Sequence, residues 1–171
     1  MKDFYELATS RYSCRSYSKK QPEQEKIDYI LQCAKVAPTA RNFQPQKIFV
    51  VKSQENLEKL AAVCPCTYNA PVVFVIACDN SVAAAHLGDS GNFGETDCAI
   101  ICTHMTLAAK EVGLDSCIVG WFVDKDVKEA LNIPHNYTVY DILPVGYAGD
   151  DAAPSPRHSD CKDLSETVQE I

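Results

Sequence analysis

The run Arg11-Tyr12-Ser13-Cys14-Arg15 alternates cation, hydroxyl and cation, a pattern costly to bury and suited to gripping an anion. In extended chain, residues two apart share a face at roughly 6–7 Å per step, which sets Arg11, Ser13 and Arg15 in one row. The outer guanidinium groups then stand about 13 Å apart, too far to close on one phosphate and suited to the two ends of an elongated anionic ligand. This spacing predicts a nucleotide-like cofactor rather than a bare ion. A second stretch, Ala37-Pro38-Thr39-Ala40-Arg41-Asn42-Phe43-Gln44-Pro45, holds small residues and amides between prolines. The prolines restrict the backbone and oppose helix, so Asn42 and Gln44 can offer donors and acceptors to a planar heterocycle. On its own, this stretch reads more simply as a proline-bounded connection with solvated amides.

Other reactive residue types carry less. The nine cysteines are an odd number, which excludes complete disulfide pairing within one chain. Cys64-Pro65-Cys66 and Cys98 with Cys102 lack the paired spacing of structural zinc or iron–sulfur sites, so most cysteines read as small buried hydrophobes; a thiol-redox or metal role for Cys64 and Cys66 is the weakest reading. His86, His104, His135 and His158 are dispersed and read as surface or structural residues. Trp121 beside Phe122 reads as core more readily than as a pocket wall. Asp97 reads as a cap for a helix. No protein nucleophile and no metal ligand set stands out.

The elements that must position these residues follow from periodicity and punctuation. Asp3 precedes a short helix running through Ala8, which leaves the cationic run in loop or extended chain. Pro22 suits the first turn of a second helix with Ile27, Ile30, Leu31 and Ala34 on one face, ending before Pro38. Residues Lys47 to Lys52 read as a strand, Ser53 as the cap of a helix carrying Leu57, Leu60 and Ala61, and Pro71 to Cys78 as a buried strand. After a loop with glycines at 88, 91 and 94, the spacing predicts a helix from Glu95 to about Val112, with Ile101, Met105, Ala108 and Ala109 inward and Gly113 ending it. A strand from Cys117 to Val123, a short helix from Asp124 and a long strand from Thr138 to Tyr147 complete the ordered part. From Gly149 the chain reads as a tail whose last segment is too short to fold alone.

A chain of 171 residues with 46% hydrophobic content can bury one substantial core, and residues 1–171 read as one domain with 149–171 as an extension. The net charge of -7 leaves no basic field for nucleic acid. No run approaches the roughly 20 apolar residues of a membrane span and none has signal-peptide character, so a cytoplasmic location without a membrane partner is expected.

Taken together, the R-x-S-x-R run and the later A-P-T-x-x-N-x-Q-P element resemble the nitroreductase family. The likeness continues through Gly91-Asn92, Asp97, Leu107-Ala108-Ala109, Gly113-Leu114, Cys117-Ile118-Val119-Gly120, Ile133-Pro134 and Pro144-Val145-Gly146-Tyr147. It implies an α+β fold with a central, mainly antiparallel sheet flanked by helices, built as an intertwined homodimer with FMN at the interface and the tail packed on the dimer. By similarity, Arg11, Tyr12 and Ser13 meet the phosphate and ribityl end, while Arg15 approaches the pyrimidine edge, where a cation favours the reduced cofactor. Pro38, Thr39, Ala40, Asn42 and Gln44 come to the flavin from the partner subunit, with Arg41 and Gln46 departing from the usual residues. The Ile118, Val119 and Gly120 backbone passes the flavin N5 side, where a main-chain N–H can donate. Either Arg157 or Lys162 supplies a C-terminal phosphate contact, Cys161 standing where relatives often place arginine. The implied activity is hydride transfer from NADH or NADPH to a small electron-poor acceptor, a nitro compound or quinone, by a ping-pong mechanism. The alternative is a flavin-binding regulatory or storage protein with incidental reductase activity.

Overall fold

The computed structural model describes residues 3–88 and 91–171. In chain order it contains α1 (Phe4–Ser10), α2 (Gln24–Lys35), β1 (Gln46–Val51), α3 (Gln54–Val63), β2 (Val72–Asp79), α4 (Gly94–Glu111), β3 (Asp115–Ser116), α5 (Asp124–Leu131), β4 (Tyr137–Gly146) and α6 (Leu164–Thr167), with short 3-10 turns at Ala40–Asn42, Pro65–Thr67 and Pro156–Ser159. The strands form one sheet in the order β1-β2-β4-β3, and every adjacent pair is antiparallel. The expected helices and the expected antiparallel sheet are thus present. No described helix is long and apolar enough to cross a membrane.

β2 explains the layering. Its residues are buried from Val72 through Cys78, and side chains alternate across a strand, so each face of the sheet needs its own cover. Val72, Phe74, Ile76 and Cys78 pack with Ile27 and Ile30 of α2 and Ile101 and Met105 of α4. Val73, Val75 and Ala77 pack with Leu60 of α3 and Val127 of α5 on the other side. α4 stops where Gly113 takes φ +75°, and the Leu114 N–H returns 2.8 Å to the Ala109 carbonyl, a glycine stop that an L side chain would strain. Ser53 caps α3 by accepting from the Asn56 N–H at 3.3 Å. Pro22 lies one residue ahead of the Glu23 N-cap of α2, outside the first turn expected for it.

The strand expected over Cys117 to Val123 is a correction. Only Asp115–Ser116 forms a ladder, and beyond it a single bridge joins Val119 to Ile142. The cause lies opposite: Cys117 donates 3.3 Å to the Pro144 carbonyl, and Pro144 has no N–H to return. The chain then leaves the sheet, and Trp121, expected in the core, is 78% exposed. The cysteines follow their expected reading: six are buried, Cys33 and Cys66 are half-buried and Cys161 is exposed, all free.

On β4, burial pushes the Asp141 carboxyl up to about 6, and the Glu95 carboxylate adds to the shift. A carboxyl whose folded pKa is raised binds its proton more tightly folded than unfolded, so its effect on stability is absent near pH 4, grows as the pH climbs to about 6 and persists above. Asp141→Asn is therefore expected to raise unfolding free energy at pH 8 by roughly 1–2 kcal/mol, discounted for residual solvent contact, and to change little at pH 4, as read by urea denaturation.

Candidate functional site

The cationic run is extended, as its alternation demands, and it is sewn to the sheet. Cys14 is fully buried and donates its N–H 3.0 Å to the Ser116 carbonyl, with Ser13 bridged in parallel to Ser116. The Tyr17 hydroxyl lies 3.0 Å from the Cys14 carbonyl and 3.2 Å from the Pro144 carbonyl, sharing its proton between them. Ser18 donates to Tyr147, and Gly149 donates 3.0 Å back to Ser16. With Cys14 pointing inward, Ser13 and Arg15 must project to the opposite face.

On that face lies a cavity of about 400 Å³ lined by Tyr12, Ser13, Arg15, Ser155, Arg157 and His158. The two ends of the chain therefore meet around one space. The lining holds two guanidinium groups, an imidazole and three hydroxyls, and no carboxylate, in a chain of net charge -7. Asp115, an acid near Tyr12, is engaged by Lys110 at 2.7 Å, and Lys110 also stands 5.3 Å over the Tyr12 ring. Burial, reinforced by Asp115, pushes the Tyr12 phenol up to about 12, which keeps it neutral and able to donate. Arg11 precedes the lining without joining it, and neither Cys161 nor Lys162 reaches it. Of the two C-terminal cations considered, the structure places Arg157 at the cavity. His158, expected to be a surface or structural residue, is there too; its type was visible in sequence, but its neighbourhood depends on the tail folding back.

The amide stretch stands apart from this cavity. Arg41, Asn42 and Gln44 adopt φ values of 55°, 55° and 50°, a left-handed region that favours glycine and is unusual for arginine and glutamine. Thr39 holds the turn: its carbonyl accepts from the Asn42 N–H at 2.9 Å and its hydroxyl from the Gln44 N–H at 3.1 Å. Asp97 holds it from outside. Its buried Oδ1 accepts the Ala40 N–H at 2.8 Å, so Asp97 caps this 3-10 turn across 57 residues of sequence and does not cap its own helix by a side-chain bond. Pro38, Thr39, Ala40, Asn42 and Gln44 all lie outside the lining of the cationic cavity.

The Cys117 to Gly120 backbone follows β3 beside the cationic run. Burial pushes the Cys117 thiol up, opposed by the Arg15 cation and a hydrogen bond from Ser13, which ties this segment to the cationic row. Val119 spends both backbone groups on Ile142, donating at 2.9 Å and accepting at 3.0 Å. Its N–H is therefore not available to a ligand. The N–H groups of Ile118 and Gly120 have no partner among the described residues. A Cβ built on Gly120 would meet nothing within 4 Å, and its φ is one that any residue adopts. Neither packing nor strain in the chain requires glycine here, and what the residue leaves is open room beside an unpaired donor.

Comparison with known proteins agrees with this geometry. A sequence profile described as "Nitroreductase family" matches residues 8–67 and 62–147. A protein of Methanothermobacter thermautotrophicus, provisionally named NADH dehydrogenase/NAD(P)H nitroreductase, is 30% identical over 152 residues, covering 85% of this chain and 77% of that protein. A solved nitroreductase family protein from Clostridium difficile superposes with a TM-score of 0.91 at 33% identity, covering 98% of each chain. A second Clostridium difficile structure, named an FMN-dependent nitroreductase, has a TM-score of 0.81 at 26% identity, covering 96% of this chain and 98% of that one. The fold is thus that of an α+β oxidoreductase family with NAD(P)H-linked members. The chain belongs to the nitroreductase family.

The unfilled space at Gly120 yields a separable outcome. Gly120→Ala removes conformational freedom from the unfolded chain without strain, so thermal unfolding is expected to hold or rise, by about 0.4–1 kcal/mol. The added methyl occupies the approach to the unpaired N–H, so affinity for the ligand of this site is expected to fall. Differential scanning calorimetry and flavin titration on the same preparation check both halves.

Proposed function

We propose that this chain is a cytoplasmic, FMN-dependent oxidoreductase that works as a homodimer, taking hydride from NADH or NADPH and passing it to a small electron-poor acceptor, a nitro compound or quinone, in a ping-pong sequence. The observation that carries this reading is the cavity where both chain ends meet: cationic, rich in hydroxyls and free of carboxylates in an acidic protein. Its volume falls in the range of small-molecule and cofactor pockets, and its donors suit a phosphate ester with a polyol arm. Family membership and the FMN-dependent nitroreductase among its structural neighbours support the same cofactor.

When bound, the flavin supplies the hydride chemistry. The chain's own residues hold and tune it. Arg157, with Arg11 adding charge from just outside, balances the phosphate, and Tyr12 and Ser13 donate along the ribityl arm. Arg15 sets a cation at the pyrimidine edge, stabilising the added negative charge of the reduced ring. Gly120 or Ile118, in place of Val119, offers the N–H at the N5 side. Lys162 has no part in this arrangement.

Pro38, Thr39, Ala40, Asn42 and Gln44 serve a second copy of the chain in this reading. Two observations support it: Asn42 presents an exposed amide with no side-chain partner away from its own cavity, and apolar side chains stand uncovered nearby and on the tail. Phe4 and Val36 are 69% and 75% exposed beside the α1, α2 and α4 groove, and Leu164, Val168 and Ile171 are exposed on the tail. Such side chains are buried by association.

Purified protein is expected to be yellow and to release FMN on denaturation; a colourless product that fails to take up added FMN overturns the reading. Anaerobic bleaching of the flavin by NADH or NADPH, followed by reoxidation with a nitroaromatic or quinone, separates an oxidoreductase from a storage protein. Arg15→Ala is expected to lower the two-electron potential by roughly 30 mV, for about 1.4 kcal/mol of lost charge stabilisation. Arg157→Ala is expected to weaken FMN retention with a smaller change in potential, and the reverse pattern, read by spectroelectrochemistry, overturns the division of roles.

A further inference from the structure

We propose that His158 is a second anchor for the cofactor phosphate and grips it as an imidazolium, so that this chain's hold on FMN depends on pH. The proposal rests on the flavin reading above. Arg157 and His158 are adjacent in the turn Pro156–Ser159, and both line the cavity that Tyr12, Ser13 and Arg15 close from the other side. The turn is fixed from within: the Ser155 hydroxyl accepts from the Arg157 N–H at 3.3 Å, and the Ser155 carbonyl accepts from the His158 N–H at 2.8 Å.

The ring is held as well. His158 Nε2 lies 3.2 Å from the Thr9 carbonyl at the end of α1, an oxygen that can only accept, so Nε2 carries a proton. The Tyr12 ring meets it edge-on, with centroids 6.4 Å apart. Nδ1 has no partner among the described residues. A proton on Nδ1 makes the ring a cation with one donor free on a cavity wall.

The groups facing His158 decide when that proton is held. Tyr12 meets it edge-on from the N-terminal segment, Arg15 and Arg157 share the lining with it, the Thr9 carbonyl of α1 accepts from its ring, and Asp160, exposed as His158 is, closes the same turn outside the lining. The lining supplies two guanidinium groups and no carboxylate, so the wall lacks a negative charge of its own. A phosphate dianion supplies that charge, so proton and phosphate binding favour each other. Imidazole is the side chain whose charge ordinarily changes between pH 5 and 8.

The test compares full-length wild type, His158→Gln and His158→Arg loaded with FMN or with riboflavin, which lacks the phosphate, reading free flavin by its fluorescence on dilution at pH 6.5 and pH 9. Loss of one charge-assisted hydrogen bond is expected to raise the FMN dissociation constant of His158→Gln roughly tenfold at pH 6.5, with the ratio to wild type closing toward one at pH 9. Riboflavin binding stays unchanged, which also reports that the fold is intact. His158→Arg keeps the affinity and removes its pH dependence. Equal FMN binding by wild type and His158→Gln at pH 6.5, an unchanged ratio at pH 9, or equal losses for FMN and riboflavin overturns the proposal. Wild-type protein that binds neither flavin overturns the flavin reading and this one with it, whereas wild type that binds FMN beside a silent His158 substitution overturns this one alone.

Discussion

Everything at the cationic cavity depends on one crossing, where the extended segment around Cys14 is sewn between β3 and the end of β4. The Cys14 N–H bonds to Ser116, the Tyr17 hydroxyl reaches both the Cys14 and Pro144 carbonyls, and Ser18 and Ser16 pair with Tyr147 and Gly149. A fully buried Cys14 fixes which way the run faces, because a slip of one residue would send Ser13 and Arg15 into the core. The same crossing brings the tail home: Gly149 leaves the sheet bonded to Ser16, and Asp151 bonds the Ser16 hydroxyl before the chain reaches Arg157. The N-terminal and C-terminal contributions to the cavity are thus one structural event.

Charge placement follows from that crossing. The protein is acidic overall, yet Asp115, whose charge reaches Tyr12, is paired with Lys110 from the end of α4. This pair is mostly buried, with side-chain exposures of 19% and 13%, and lies under Tyr12, so it neutralises the floor of the site instead of decorating the surface. Elsewhere on the sheet, burial and the charge of Glu95 leave the Asp141 carboxyl raised. The cavity lining, by contrast, holds Arg15 and Arg157 and no carboxylate.

Much of this was legible in the residues. The unbroken apolar run of β2, apolar spacing in α2 and α4, and the Gly113 stop place the layers because each is a local pattern that burial satisfies in one way. The shared face of Ser13 and Arg15 was readable for the same reason, whereas Arg11, at the C-cap of α1, stays outside the lining that Tyr12 joins. What escaped depended on distant partners. The strand after Cys117 fails because Pro144, 27 positions away, cannot donate. Trp121 is exposed because that ladder ends, and Asp97 turns from its own helix to Ala40. His158 joined the site only through the return of the tail. The choice between Arg157 and Lys162 was likewise a question of chain path, on which two exposed cations five residues apart say nothing.

Non-glycine residues take left-handed backbone at six described positions, three of them in the amide stretch and the others at Tyr68, Asn69 and Asn132. Left-handed backbone at Arg41, Asn42 and Gln44 costs about 1 kcal/mol or more per residue without glycine to relieve it. Among the described residues, three buried side-chain atoms lack a hydrogen-bond partner: Gln46 Oε1, Asp97 Oδ2 and Ser116 Oγ. Gln46 follows the amide stretch, Asp97 holds it, and Ser116 is the bridge partner of Ser13. A core under selection for stability alone would satisfy or replace such atoms. Gln46 and Asp97 lie at the amide turn and Ser116 beside the cationic run, and an unsatisfied buried atom costs stability at each of these supports.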